Sequence, residues 1–185
     1  MQIVTDYVAD LSSQQLEGIE VHYLPLMITI DGKIYRSGVD ITPDEFYNLQ
    51  VNAKEIPTTS QPSPGDFRDL YRRLAKKDPD ILSIHISSGL SGTVNSARLG
   101  ASEVPEANVE IYDTKTLSGA QGWHVEMAAK AARQGLDKSR ILSMLKQVTE
   151  ATETLFTLST LKYLIHGGRI SHLKGLLASL LDIKP

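Results

Sequence analysis

A chain of 185 residues, 41% apolar and 22% charged, is long enough to bury one substantial core and is ordinary in composition for a globular protein. Its net charge of -3 offers no electrostatic support for a nucleic-acid partner, and the absence of cysteine excludes disulfides and thiolate chemistry. Met1 leads directly into Gln2-Ile3-Val4-Thr5-Asp6 with no basic and apolar leader, and no apolar run is long enough to cross a bilayer, so a soluble cytoplasmic protein without stable membrane insertion is expected.

Gln2 to Thr5 reads as a first strand ending at Asp6, and Asp10-Leu11-Ser12-Ser13 as a helix start. Val21 to Leu24 and Leu26 to Ile30 are extended around Pro25. Asp31-Gly32 is a two-residue hairpin signal, with Lys33 to Arg36 as the return strand. Thr42-Pro43-Asp44-Glu45 combines a cap, a proline at the first helical position and a carboxylate at the third, so a short helix runs to about Leu49.

Pro57-Thr58-Thr59-Ser60-Gln61-Pro62-Ser63-Pro64 has no apolar periodicity and reads as a loop whose prolines hold its hydroxyls in place. The plain alternative is a rigid segment leading into the next helix. Ser63 to Asp66 has capping-box form, and Phe67, Leu70, Tyr71 and Leu74 recur at the spacing of an amphipathic helix. Ile81 to Ile86 is a buried strand that breaks into Ser87-Ser88-Gly89, and Ser91 stands where a helix should begin. A strand that enters a helix through such a loop presents orphan N–H groups and the positive end of a helix dipole, which favour an anion. Four hydroxyls, from Ser87, Ser88, Ser91 and Thr93, crowd the same loop. Ser91 as a simple N-cap is the competing reading.

Pro105 breaks the chain, and Val109 to Asp113 is a further strand. Ser118 to Arg133 is an alanine-rich helix closed at Gly135. Asp137 or Ser139 caps the next helix, whose buried stripe is Ile141, Leu142, Leu145 and Val148. Thr154 to Leu158 is a candidate strand, Leu161 to Ile165 leads into Gly167-Gly168-Arg169, and Leu173 to Ile183 is a leucine-rich helix. Alternating strands and helices to residue 150 argue an α/β fold with a mostly parallel sheet. Thr5-Asp6, Ser87-Ser88 and Asp113-Thr114 all end strands and therefore line one edge, where such sheets bind ligands.

The loop lacks the lysine of a phosphate-binding loop, and Thr93 stands where a nucleophile elbow requires glycine. No histidine has a carboxylate partner visible in the sequence, and His85 reads as a core histidine. His166 and His172 lack companions at metal-ligand spacing, so neither metal nor cofactor is expected. Asp6 and Asp10 read as capping and loop hydrogen-bonding groups before an acid–base pair. Hydroxyls without a base suit holding an oxyanion better than attacking a carbonyl.

Val4-Thr5-Asp6 with Ala9-Asp10-Leu11, Pro57 to Ser63, Ile86 to Thr93 with Ser96-Ala97, Asp113-Thr114 with Ser118, and Leu164 with Gly167-Gly168-Arg169-Ile170 occur in one order along the chain. In these segments the sequence resembles the DegV family of bacterial fatty-acid-binding proteins. The resemblance implies a three-layer α/β/α domain with a mostly parallel sheet over residues 1–152. Residues 153–185 would be the truncated start of a second, smaller α/β domain. It further implies that a long-chain fatty acid such as palmitate is bound, its carboxylate held by Thr59 and Ser91 with Ser60 and Ser88 nearby. Arg169 would stand near the mouth, and a separate fatty acid kinase related to dihydroxyacetone kinases would form the acyl phosphate. The chain itself would not be an enzyme.

Two departures accompany the resemblance. Tyr7 replaces the usual serine after Thr5-Asp6, and the chain stops where the family continues, so a histidine the family often places near the carboxylate is not found. The alternatives are a small phosphoryl or acyl transferase using the same loop, and a non-binding interaction module. The apolar residues between Phe156 and Leu181 exceed what one terminal helix and strand would bury alone, which predicts an exposed apolar face.

Overall fold

The computed structural model describes residues 1–169. Four strands, β1 (Gln2–Asp6), β2 (His22–Leu24), β6 (Asp80–His85) and β7 (Asn108–Asp113), form a parallel sheet in the order β2-β1-β6-β7. Three short strands, β3 (Met27–Ile30), β4 (Lys33–Arg36) and β5 (Thr58–Ser60), form an antiparallel sheet in the order β4-β3-β5. The helices are α1 (Pro43–Asn52), α2 (Pro64–Ala75), α3 (Thr93–Ser102), α4 (Ser118–Arg133), α5 (Lys138–Ala151) and α6 (Lys162–Gly167).

The central strands are buried on both faces, as their unbroken apolar runs require. Side chains alternate across a strand, so Ile3, Leu82 and Ile84 pack on Val125, Ala128, Ile141 and Leu145 of α4 and α5. Val4 and Ile81 face the other way, onto Phe67, Leu70, Tyr71 and Leu74 of α2 and Ala97 of α3. This is the expected three-layer α/β/α arrangement. Asp31 and Gly32, with φ of 47° and 79°, make the tight turn between β3 and β4. Both expected capping boxes form: Thr42 with Glu45 starts α1, and Ser63 with Asp66 starts α2. Asp137 caps α5.

Four expectations are corrected. No helix starts at Asp10. The Asp6 carboxylate instead caps a 3-10 turn at Tyr7–Ala9, Asp10 closes it in the left-handed region at φ 44°, and only turns follow to Gly18. The Pro57–Pro64 loop contains an edge strand, β5, because Thr58 to Ser60 find the open edge of β3 between flanking prolines. Ser91 is not the N-cap of α3; Gly92 holds that position and the helix starts one residue later than a Ser91 cap would give. Thr154 to Leu158 form no strand: they follow the end of α5, Leu155 is 84% exposed, and they pair with no strand among the described residues. The leucine-rich helix expected at Leu173 to Ile183 lies outside the described residues.

Candidate functional site

The carboxyl ends of β1 and β6 meet around one buried carboxylate. Asp6 sits beside His85 once β1 and β6 are paired, because the register sets Thr5 against Ile84. Its Oδ1 accepts from Val8 N–H at 3.0 Å and Gln121 Nε2 at 3.1 Å. Its Oδ2 accepts from His85 Nδ1 at 2.9 Å and Ile86 N–H at 3.3 Å. Burial favours the neutral acid, but hydrogen bonds from His85, Gln121 and the Ile86 N–H outweigh it and hold the Asp6 pKa below the ordinary carboxylate value. The far side of the His85 ring is also satisfied. The Tyr71 hydroxyl donates to Ser83 Oγ at 2.7 Å, and Ser83 Oγ lies 2.7 Å from His85 Nε2. Ser83 Oγ accepts from Tyr71, and the His85 tautomer sets the direction of its contact with Ser83. His85 is thus the core histidine expected, with a carboxylate partner that the sequence reading missed.

This network fixes Ile86, from which the hydroxyl loop departs. The loop is then held from the next strand: Ser87 N–H donates to Thr116 O at 2.9 Å, and Ser88 N–H to Asp113 Oδ1 at 3.2 Å. Asp113 also accepts from Lys115, at 3.1 Å from its N–H and 2.6 Å from its Nζ. Burial works against the Asp113 charge, yet the Lys115 and Ser88 hydrogen bonds keep its pKa depressed. Lys115 Nζ reaches Ser88 Oγ at 3.4 Å, placing a cation beside the predicted hydroxyls. Lys115 and Ser118 both adopt positive φ, 59° and 53°, the kind of local strain that clusters at functional sites. Ser118 is tied down by donating to Asp10 Oδ2 at 2.7 Å.

Within the loop, the N–H groups of Leu90 and Ser91 converge on Ser87 O. Ser91 Oγ lies 2.8 Å from Thr93 Oγ1 and accepts from Thr93 N–H at 3.3 Å. Ser91 therefore satisfies one orphan donor of α3 from just outside the helix, and Val94 and Asn95 begin the helix with N–H groups that have no partner within it. The two hydroxyl motifs meet where Gln61 covers Gly92: a Cβ on Gly92 would lie 2.8 Å from Gln61 Nε2. Gln61 was not singled out in the sequence, although it lies inside the hydroxyl-rich segment.

Thr59, paired with Ile28 on β3, lines a cavity of about 230 Å³ together with Pro57, Tyr163, Leu164, His166 and Arg169. The fold thus brings Thr59 and Arg169 to one cavity, while Ser91 and Ser88 lie on the neighbouring loop. Alternation along β5 turns Ser60 to the face opposite Thr59. Gly168, at φ 69°, ends α6 in the left-handed region and turns the chain toward Arg169.

A parallel sheet covered by helices on both faces, with a hydroxyl-rich loop at its carboxyl edge, makes the chain an α/β protein of three layers. The chain belongs to the DegV family: the model of that family, described as an uncharacterised protein family, matches residues 1–185. A DegV domain-containing protein of Staphylococcus aureus, SA1258, is 41% identical over 183 residues, covering 99% of this chain and 65% of the relative. The structure resembles a fatty-acid-binding DegV family protein of Thermus thermophilus at TM-score 0.81 and 37% identity, covering 95% of this chain and 64% of that one. It resembles the fatty-acid-binding DegV family protein SAG1342 of Streptococcus agalactiae at TM-score 0.87 and 33% identity, covering 100% of this chain and 65% of that one. The chain therefore spans about 65% of the length of such relatives. No helix among the described residues is long and apolar enough to cross a membrane.

Proposed function

We propose that this chain binds one long-chain fatty acid and presents its carboxylate to a separate kinase that forms the acyl phosphate. The observation that carries the reading is the meeting of the two hydroxyl motifs at Gln61 and Gly92, with Thr59, two residues before Gln61, lining a cavity together with Arg169. Thr59 and Ser91 are the carboxylate ligands in this reading, with Ser88 nearby and Ser60 on the opposite face of β5. The hydroxyls and the orphan N–H groups of α3 supply donors, which suits holding an anion. Fatty-acid binding by the Thermus and Streptococcus relatives supports the ligand class. Residues 1–152 form the first domain in this reading, closed by the Thr152 C-cap of α5, and residues 153–185 open the second.

Arg169 serves transfer more than storage. Its planar fork fits a phosphoryl group, and an interaction made only in the transition state changes rate more than ground-state binding. Titration of the lipid-stripped chain with palmitate should show one-to-one binding. Arg169→Ala should keep most of that affinity and lose most acyl-phosphate formation when a fatty acid kinase is added. Collapse of affinity with normal turnover at saturating palmitate would make Arg169 a ligand clamp instead. Acyl transfer or phosphoryl transfer by the chain without kinase would overturn the non-catalytic reading.

A further inference from the structure

The carboxylate ligands leave open where the rest of a fatty acid lies and what limits its length. Thr59 stands directly opposite Ile28 across the antiparallel pair, and directly opposed side chains share one face of a sheet. Ile28 is a wall of a second cavity, of about 460 Å³, whose other walls include Tyr7, Leu11, Tyr23, Ile41 and Phe46. That volume falls within the roughly 300–1,000 Å³ typical of small-ligand sites, and the lining is chiefly aliphatic and aromatic. Thr59 and this cavity therefore lie on one face of the antiparallel sheet.

Tyr7 is held among these walls by several contacts. It follows β1 directly, in the 3-10 turn capped by Asp6. Its ring centroid lies 4.9 Å from that of Tyr23, and its hydroxyl donates to Gly38 O at 3.4 Å. The ring rests on the bare α-carbon of Gly38, where a Cβ would overlap it, and Gly38 itself holds a φ of 68° that favours glycine. Tyr23 on one side and Gly38 on the other limit where the ring can move to admit more ligand. We infer that Tyr7, seated on Gly38, sets the upper length of the acyl chain this protein accepts. The inference rests on the fatty-acid reading above and adds to it the location of the tail and a residue that selects among tails.

The test is competition. Lipid-stripped chain is equilibrated with an equimolar mixture of palmitate, stearate and arachidate, and the bound acids are read by native mass spectrometry. Tyr7→Ala and Tyr7→Leu free ring volume, and each additional buried methylene is worth about fourfold in affinity. The arachidate-to-palmitate ratio should therefore rise by an order of magnitude or more (about fourfold for each of several methylenes) in Tyr7→Ala, and by less in Tyr7→Leu. The conservative Tyr7→Phe should restore the wild-type ratio. A palmitate carrying a terminal diazirine, photolysed on the wild-type chain, should label the peptides containing Tyr7, Gly38 or Phe46, a readout that does not depend on any variant folding. An unchanged length profile in a folded Tyr7→Ala or Tyr7→Leu, or labelling confined to other peptides, overturns the inference and leaves the fatty-acid reading standing. A wild-type chain that takes none of the three acids overturns both.

Discussion

Ser91 carries two roles at once, and substitution separates them. Its hydroxyl accepts from the first N–H of α3 and lies against Thr93, while in the proposed complex it also donates to the carboxylate. Ser91→Ala should weaken palmitate binding by about 1–3 kcal/mol, the scale of a hydrogen bond to a charged group. Thr59→Val should cost a similar amount while leaving stability nearly unchanged, because Thr59 caps nothing and valine suits an edge strand. Equal affinity in Thr59→Val and wild type would remove Thr59 from the ligand set. Asp6 gives a prediction in pH. Its folded-state pKa is depressed, so its contribution to stability is complete above the ordinary value of 3.8 and is lost as pH falls through the lower folded value. Asp6→Asn turns an amide against the His85 and Ile86 donors and should cost about 3 kcal/mol at neutral pH. Urea midpoints should show the gap from wild type closing below pH 3.8, whereas a constant gap would mean the carboxylate charge contributes nothing. The hydroxyls of this site were legible in the sequence because a strand breaking into serine and glycine has few other uses. The Asp6–His85 pair and Lys115 were not, because each depends on which strands lie side by side.

At the scale of elements, apolar periodicity and caps located most of the helices. Phe67, Leu70, Tyr71 and Leu74 fall on the buried face of α2, and both capping boxes form at the predicted residues. What the pattern could not show was β5: Thr58 to Ser60 have no buried face to alternate, all three are exposed, and they are a strand only because β3 offers them an edge. The close crossing of α2 and α3 was equally hidden. A Cβ at Gly100 would stand 2.7 Å from Pro64 O and 2.9 Å from Arg68 N, both backbone atoms that cannot turn aside. Gly100→Ala should therefore destabilise the protein by about 1–3 kcal/mol, despite the better helix propensity of alanine, because overpacking moves backbone. Thermal and urea unfolding give the sign directly. A more stable Gly100→Ala would mean the two helices separate without penalty and that their contact does not position the N-terminus of α3.

For the whole molecule, the parallel sheet gathers three strand ends into one edge, the hydroxyl loop meets the β5 segment where Gln61 covers Gly92, and β5 and α6 share the cavity of Thr59 and Arg169. Beyond α5, Leu155, Phe156, Tyr163 and Ile165 stay exposed, Leu155 at 84% and Ile165 at 56%. Apolar groups exposed within so short a segment mark a contact surface or an aggregation liability. The 185-residue chain should therefore bind a hydrophobic dye or self-associate in sedimentation, and a dye-silent monomer would contradict that expectation. The central claim is that the hydroxyl-lined edge holds a fatty-acid carboxylate. Native mass spectrometry of the purified chain, before and after lipid stripping and palmitate addition, tests it most directly. The account predicts one fatty acid per chain, retained in the wild type and depleted in the Thr59→Val, Ser91→Ala double variant. A wild-type chain that stays free of lipid at saturating palmitate, with its fold intact, would contradict it.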